Sequence, residues 1–219
     1  SKNHTNLSIA RNNAIKKSSG KFICFLDVDD YWSKNKLENQ IKSFEIENVG
    51  YSFSNFWYLD HSNNNNRKIN LNFKEGIINK LLKKYEIVIS TIMVKKEILD
   101  KIDLPFNENY HIISDFIFSL KIAFITNLHH IEDHLTYRSW HGDNESIKKR
   151  ELSIQEIDHW IKNNKEKYRQ YSNEIDFLEK KVLYDKINFK IKQKRLLEAF
   201  FIFLRNNYNF KLNYIKSIF

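Results

Sequence analysis

The chain has 219 residues, of which 42% are hydrophobic, and it carries a formal net charge of +9 at pH 7. These values are typical of a globular protein with one sizeable core, and they exclude a wholly disordered chain. With a single cysteine, Cys24, the sequence excludes an internal disulfide framework and favours a reducing compartment. Because no apolar stretch approaches the about 20 residues that span a bilayer, we expect a cytoplasmic chain that is soluble or peripheral at the inner face of the membrane.

The first quarter of the chain alternates between helix and strand patterns. Apolar residues recur at helical spacing over 7–18, and the apolar run 21–26 that follows predicts a buried strand. A second helix is predicted over 34–47, with Ser33 as its N-cap. The aromatic and small residues of 49–59 predict the next strand.

The same alternation continues downstream. The polar stretch 60–68 lacks periodicity and is predicted to be an exposed loop. A helix over 76–85 leads into a predicted strand over 87–96, and a helix over 114–125 leads into an extended segment over 128–138. The order predicts an α/β fold, in which helices flank the sheet and ligands bind at the carboxyl ends of strands.

From about residue 148 the composition changes to long charged and aromatic stretches without Gly or Pro, and this composition predicts helices through residue 219. The last 39 residues hold nine Lys or Arg and two Asp or Glu, so nine minus two places +7 of the total charge there. Such a tail fits an anionic membrane surface, or else a helical subdomain packed on the core or on a second protomer. No nucleic-acid partner is expected, because no recognised motif accompanies the charge. The aromatic residues of the tail include Phe200, Phe201, Phe203, Tyr208, Phe210 and Tyr214.

The stretch FICFLDVDDYW, residues 22–32, ends an apolar run in three carboxylates, Asp27, Asp29 and Asp30. Like charges this close repel unless a cation or hydrogen-bond donors neutralise them. Carboxylates at the tip of a strand are hard oxygen ligands, which suit Mg²⁺ or Mn²⁺ shared with substrate phosphates. The alternative is a solvated acidic turn that caps the next helix.

A longer segment, ARNNAIKKSSGKFICFLDVDDYWSKNKLENQI over 10–41, closely resembles the central signature of inverting family 2 glycosyltransferases with a GT-A fold. Three downstream stretches resemble later parts of that family in the right order: STIMVKKEIL over 90–99, FNENYHIISDFIFSLKIA over 106–123 and LTYRSWHGDNES over 135–146. The resemblance implies a GT-A-like domain over 1–147, with the helical extension over 148–219 outside it.

The chain departs from the family pattern in two places. The family normally opens with a strand and a P-x-Y-N turn, followed by a strand that ends in an acidic pair and reads the nucleotide base; neither stands here. Since the chain begins with Ser1 and its only methionine is Met93, we expect the N-terminus to be missing or removed. In the segment that carries the catalytic base, the family usually has Glu-Asp where this chain has Ser114 and Asp115.

The resemblance implies a metal-dependent transfer of a sugar from a nucleotide-diphosphate sugar to a hydroxyl of a glycan or lipid-linked acceptor, with inversion, in cell-surface polysaccharide synthesis. Asp115 is the implied general base. The implied ligands of Mn²⁺ or Mg²⁺ are Asp29, Asp30 and His141. The implied donor-binding residues are Arg11, Asn12, Asp27 and Arg138.

Each of these residues also has a structural reading. Asp115 suits a helix N-terminus, Arg138 a structural salt bridge, and His141 an exposed loop, while Arg11 and Asn12 would brace the acidic turn. Two other functions also stay open. One is a haloacid-dehalogenase-like phosphatase, whose strand also ends in D-x-D. In that class Gly or Thr and then Thr typically follow the second Asp, whereas Asp30, Tyr31 and Trp32 follow it here. The other is a non-catalytic remnant of the same fold that only binds.

Overall fold

The computed structural model describes residues 6–61, 63, 65–73, 76–141 and 144–205, apart from the side chain of Ser146. The chain separates into two compact units, Ser1–Lys148 and Lys149–Phe219. Each has its own hydrophobic interior, and they are treated separately below. No helix within the described residues is both long enough and apolar enough to cross a bilayer.

The first unit is a mixed sheet flanked by short helices. Its strands are β1 (Phe22–Cys24), β2 (Tyr31–Trp32), β3 (Val49–Asp60), β4 (Asn65–Ile69), β5 (Met93–Lys95) and β6 (Asn127–Trp140). Its helices are α1 (Leu7–Lys17), α2 (Lys36–Lys42), α3 (Ile77–Lys83), α4 (Lys96–Leu99), α5 (Ser114–Ala123) and α6 (Glu145–Lys148). The strand order is β1-β5-β3-β6-β2, with β4 paired to β3. β3 and β6 run parallel, whereas the other pairs are antiparallel.

Aromatic side chains fill the space between the sheet and α5. Phe106 and Phe118 stack with their ring centroids 4.2 Å apart, and Phe25 meets both rings edge-on. Tyr51 and Phe53 of β3 are fully buried in the same core. Pairs of this kind contribute about 0.5–1.5 kcal/mol beyond area burial. Because Phe25 is anchored there, the chain leaving β1 is fixed where the acidic stretch begins.

The strongly patterned predictions are confirmed. The helix predicted over 7–18 is α1, the strand over 49–59 is β3, and the extended segment over 128–138 lies within β6. The helices predicted over 76–85 and 114–125 are α3 and α5, each slightly shorter than predicted.

The loop predicted over 60–68 is wrong for its second half, because β4 occupies it and pairs with β3 from Phe56 opposite Ile69 to Asp60 opposite Asn65. Four of its five residues are exposed, so backbone pairing forms this strand without an apolar pattern. The strand predicted over 87–96 is also shorter than expected, because Ile89–Thr91 forms a 3-10 turn before β5.

Ser33 does not cap the second helix. That helix, α2, begins at Lys36 with Asn35 at its N-cap position and without a side-chain cap. The Ser33 hydroxyl is buried and has no hydrogen-bond partner among the described residues. The backbone N–H of Ser33 donates to the carbonyl of Leu135 on β6 instead, at 3.0 Å. Strand pairing next to β2 therefore overrides the local capping preference.

The second unit is helical as far as it is described. It contains α7 (Arg150–Asn164), the 3-10 turn Arg169–Tyr171, α8 (Ser172–Lys192) and α9 (Leu196–Leu204). Its interior is made by residues that are at least nine-tenths buried on α7 and α8, namely Ile154, Trp160, Ile161, Ile175, Leu178 and Val182. Arg150–Asp185 at 3.0 Å and Lys186–Asp158 at 2.7 Å also join these two helices. The helix predicted from 206 to 219, with Tyr208, Phe210 and Tyr214, lies outside the described residues.

Candidate active site

The acidic stretch forms a turn between β1 and β2. The backbone N–H of Asp30 donates to the carbonyl of Asp27 at 3.1 Å, which closes the turn and leaves Val28 fully exposed at its tip. Each of the three carboxylates has a different partner.

Strand register decides which residues face this turn. β2 pairs antiparallel with β6, with Tyr31 opposite Tyr137. Continuing that register by two residues brings position 29 opposite position 139. Accordingly, the Ser139 hydroxyl donates to the carbonyl of Asp29, and the Ser139 N–H donates to Asp30 Oδ1 at 3.0 Å. The end of β6 therefore clamps the acidic turn.

Arg11 on α1 neutralises part of the charge. Its guanidinium donates to Asp115 Oδ1 and, at 3.1 Å, to Asp27 Oδ1. The Arg11 side chain is only 10% exposed and lies over the Phe106 ring, 5.2 Å from its centroid. One cation thus holds two carboxylates, which stand 88 positions apart in the sequence, in a single network.

Asp115 lies in the first turn of α5, and a quarter of its side chain is exposed. Burial raises the pKa of Asp115, while the adjacent Arg11 guanidinium lowers it and the nearby Asp27 charge raises it. A carboxylate whose pKa is raised is a better proton acceptor than a solvated one, because its conjugate acid is more stable. The environment therefore meets the chemical requirement of a general base.

Asp29 pairs with a residue that follows β6. Its Oδ2 lies 2.9 Å from His141 Nε2, and about a third of each side chain is exposed. The backbone N–H of His141 donates to Asn144 Oδ1 at 2.7 Å, which fixes the chain at this point. A carboxylate oxygen and an imidazole nitrogen are ligands that Mn²⁺ accepts, with phosphate and water oxygens completing its shell. These two residues fit a divalent cation.

Asp30 does not join this pair. Its Oδ1 accepts the Ser139 N–H, and its side chain is also hydrogen-bonded to Ser90. Burial raises the pKa of Asp30, and these two hydrogen bonds oppose that rise. Across the residues described, no group of three or more His, Cys, Asp or Glu side chains is arranged to hold a metal ion. The predicted three-ligand set is therefore reduced to Asp29 and His141, because Asp30 is turned toward Ser139.

Two predicted donor-binding residues make structural contacts of their own. The Asn12 side chain is 2% exposed and exchanges hydrogen bonds with the backbone N–H and carbonyl of Phe106 and with Glu108 Oε1. Arg138 precedes Ser139 on β6 and lies on the opposite face of the strand. Its guanidinium lies 5.7 Å from the Trp140 ring centroid. Asn12 therefore braces a loop, and Arg138 lies beside Trp140 on β6.

Sequence reasoning missed Ser90 and Ser139. Ser90 is fully buried, and its hydroxyl accepts the Asp27 N–H at 3.1 Å. The Ser90 carbonyl accepts the Trp32 indole N–H at 2.8 Å. No sequence signal identifies either serine, because each acts through a tertiary contact with a distant turn.

Comparison with known proteins identifies the fold class. The crystal structure of S. aureus TarS 1–349 matches 96% of this chain and 71% of its own length with a TM-score of 0.54 and 13% sequence identity. At that identity the likeness concerns the fold alone. The mixed sheet flanked by helices is a GT-A-type fold, as predicted.

Sequence comparison gives a partial family match. Residues 1–103, somewhat less than half of the chain, match the model of glycosyl transferase family 2. UDP-Glc:alpha-D-GlcNAc-diphosphoundecaprenol beta-1,3-glucosyltransferase WfgD of Escherichia coli is 37% identical over 108 residues, covering 47% of this chain and 41% of that protein. Putative teichuronic acid biosynthesis glycosyltransferase TuaG of Bacillus subtilis is 37% identical over 49 residues, covering 22% of this chain and 19% of that protein. The chain thus spans less than half the length of these relatives.

Proposed function

We propose that the protein is an inverting, metal-dependent glycosyltransferase that moves a sugar from a nucleotide-diphosphate sugar to a hydroxyl of a glycan or lipid-linked acceptor in cell-surface polysaccharide synthesis. The observation that carries the proposal is the shared network at the acidic turn. Two aspartates of the turn 27–30 make these contacts: Asp27 is joined through Arg11 to the candidate base Asp115, and Asp29 is joined to His141. The name of the relative WfgD, with UDP-Glc as donor and a diphosphoundecaprenol acceptor, supports the substrate classes.

In this proposal Asp115 accepts the proton of the acceptor hydroxyl as the hydroxyl oxygen attacks the anomeric carbon. The new carbon–oxygen bond forms on one face of the sugar while the bond to the diphosphate breaks on the other, so one displacement inverts the configuration. Asp29 and His141 would hold Mn²⁺ or Mg²⁺, which supplies positive charge against the leaving diphosphate. Arg11 keeps Asp115 ionised and oriented before the acceptor arrives.

Localisation follows from the same substrates. A lipid-linked acceptor places the reaction at a membrane surface, and a nucleotide sugar together with the reduced thiol of Cys24 suits its cytoplasmic side. A non-catalytic binding protein of the same fold is the second candidate, favoured by Asp115 being already tied to Arg11. Binding and turnover measurements separate the two.

The first experiment measures UDP-glucose binding by titration calorimetry with and without Mn²⁺. We expect Mn²⁺ to strengthen donor binding, and Asp29→Asn to weaken the Mn²⁺-dependent part at least about tenfold, because one of two protein ligands is lost. Asp133→Asn, the same change at an exposed position of β6, is the matched control. Equal effects of the two variants would refute the metal assignment.

The second experiment measures glucose transfer to a lipid-diphosphate-linked sugar. We expect Asp115→Asn to reduce turnover by about 10²- to 10⁴-fold, the range for loss of a positioned general base. Donor affinity should change little, because Asp115 touches the acceptor in this mechanism. Full turnover in the variant would exclude Asp115 as the base, and donor binding without any transfer by the unmodified chain would favour the binding protein.

A further inference from the structure

α9 has a continuous exposed face of large apolar side chains. Leu196, Leu197, Phe200 and Phe201 are 64%, 75%, 54% and 60% exposed, respectively. Positions i, i+1, i+4 and i+5 of a helix share one side, so these four residues form a single surface, here called the α9 face. Water contact of four such side chains is unfavourable, which makes this surface a candidate for binding.

The other side of α9 is already packed. Ala199 is 4% exposed and forms a small core with Ile187 of α8. Leu183, Ile202 and Phe203 pack partly buried against that core. Because this contact fixes the rotation of α9 about its axis, the α9 face points away from α8. It is not a surplus part of the same core.

Basic residues flank the α9 face at both ends. Lys192 and Lys194 stand exposed before α9, and Arg205 stands exposed after it. No ion pair joins these three side chains to another residue within the described part of the chain. The acid on α9, Glu198, is paired with Arg195 and, at 3.5 Å, with Lys190. The surroundings of the face are therefore strongly positive.

The positive charge around the α9 face distinguishes between the partners that could cover it. A second copy placed face to face would bring these cations against the same cations, which is repulsive. The nine described residues of α9 span only about 14 Å, less than a bilayer core of about 30 Å, which suits a helix that lies along a membrane surface. An anionic lipid surface offers both an apolar layer for Leu and Phe side chains and negative headgroups for Lys and Arg.

We propose that the α9 face docks the protein onto an anionic membrane surface, with α9 lying parallel to it at the boundary of headgroups and acyl chains. The docking proposal rests on the proposed function only for its purpose: a lipid-linked acceptor would lie in the membrane surface to which α9 binds. Docking itself requires neither donor, metal nor acceptor. Either proposal can therefore fail without the other.

The test is flotation of the full chain with vesicles of phosphatidylcholine alone or mixed with phosphatidylglycerol. We expect binding to the mixed vesicles, weakened by added salt, and much weaker binding to phosphatidylcholine. Phe200→Ser/Phe201→Ser should lower binding at least about tenfold, because two apolar side chains are lost from the face. Phe177→Ser is the matched control, since Phe177 is 50% exposed on α8 outside the α9 face.

A second pair of variants tests the charges. Lys192→Gln/Lys194→Gln should lower binding to the mixed vesicles about fivefold for each charge removed, whereas Lys180→Gln at an exposed position of α8 should matter less. Circular dichroism and thermal melting confirm that the variants fold. Absence of binding to the mixed vesicles, or equal binding by the Phe200→Ser/Phe201→Ser variant, would overturn the proposal. Dimerisation in size-exclusion chromatography that the same variant abolishes, without vesicle binding, would assign the face to a second copy.

Discussion

At the scale of single residues, the first unit contains two basic side chains, Arg11 and Lys36, that are at most 10% exposed to solvent. Arg11 holds two carboxylates at the edge of the candidate site. Lys36 is fully buried, with its ammonium 4.5 Å from the Trp32 ring centroid and hydrogen-bonded to Gln40. Burying a charge is costly unless the charge is paired. For each of these two residues we therefore predict how the free energy of unfolding depends on pH.

Removing the Arg11 charge should destabilise the protein in a pH-dependent way. In Arg11→Met, Asp27 and Asp115 lose their shared partner, which should cost about 2 kcal/mol at pH 7, since both carboxylates are partly exposed. The pKa of Asp115 should rise further, so acidification protonates it sooner and removes the repulsion. Urea denaturation should show a smaller loss at pH 5 than at pH 7. Lys16→Met on the exposed side of α1 is the control, and a loss independent of pH would contradict this account.

Lys36 should make stability rise with pH in the alkaline range. Burial lowers the pKa of Lys36 from 10.5 to about 8, so between these values the unfolded chain binds a proton that the folded chain does not. The free energy of unfolding should therefore gain up to about 3 kcal/mol from this group as pH rises from 8 to 10.5.

The measurement compares the unmodified protein with Lys36→Met by urea denaturation over that pH range. The difference in their free energies of unfolding should shift in favour of the unmodified protein as pH rises, because Met does not titrate. Lys34→Met, at an exposed position before α2, is the matched control for the loss of a lysine charge. A constant difference between the unmodified protein and Lys36→Met would mean that Lys36 is not held in a desolvated state.

At the scale of elements, predictability followed side-chain patterning. β3, β6 and α5 were predictable because burial of one or both faces imposes a pattern on their sequences. β4 and β2 were not, since an exposed polar strand and a two-residue strand form by backbone pairing alone. In the site, the acidic turn and Asp115 were visible as charges, while the clamp by Ser139 depends on strand register.

Close approach between elements makes Gly50 of β3 sensitive to substitution. A Cβ at this position would lie 2.7 Å from Ile98 Cγ1 and 2.7 Å from Thr126 Oγ1. We expect Gly50→Ala to lower the free energy of unfolding by about 2 kcal/mol, the usual cost of overpacking. Both variants are compared with the unmodified protein by thermal melting. Gly20→Ala, whose Cβ would meet the Phe22 carbonyl at 3.3 Å, should lower the free energy of unfolding clearly less than Gly50→Ala. Equal costs would show that β3 can shift to make room.

At the scale of the whole molecule, the chain consists of two compact units with different compositions. The first carries the site, and the second is helical and contains most of the positive charge in its last part. That residues 1–147 and 148–219 fold as independent domains remains a prediction.

Limited trypsin digestion of the full chain tests this boundary. Lys148, Lys149 and Arg150 are exposed and adjacent, so a boundary there should be cut early. Mass spectrometry should then find a persistent fragment that ends within 148–150. Early cuts within α1 or α8 instead, each of which contains Lys residues, would indicate that the units do not hold their own folds.

The pairing of Asp29 with His141 also sets an order of events during synthesis. The two residues are 112 positions apart, which corresponds to about 6 to 22 s of translation at roughly 5–20 residues per second. Until His141 leaves the ribosome, Asp29 lacks this partner and remains a charge beside an apolar strand, where it discourages aggregation of the nascent chain. The same carboxylate would thus protect the unfinished protein before it serves the finished one.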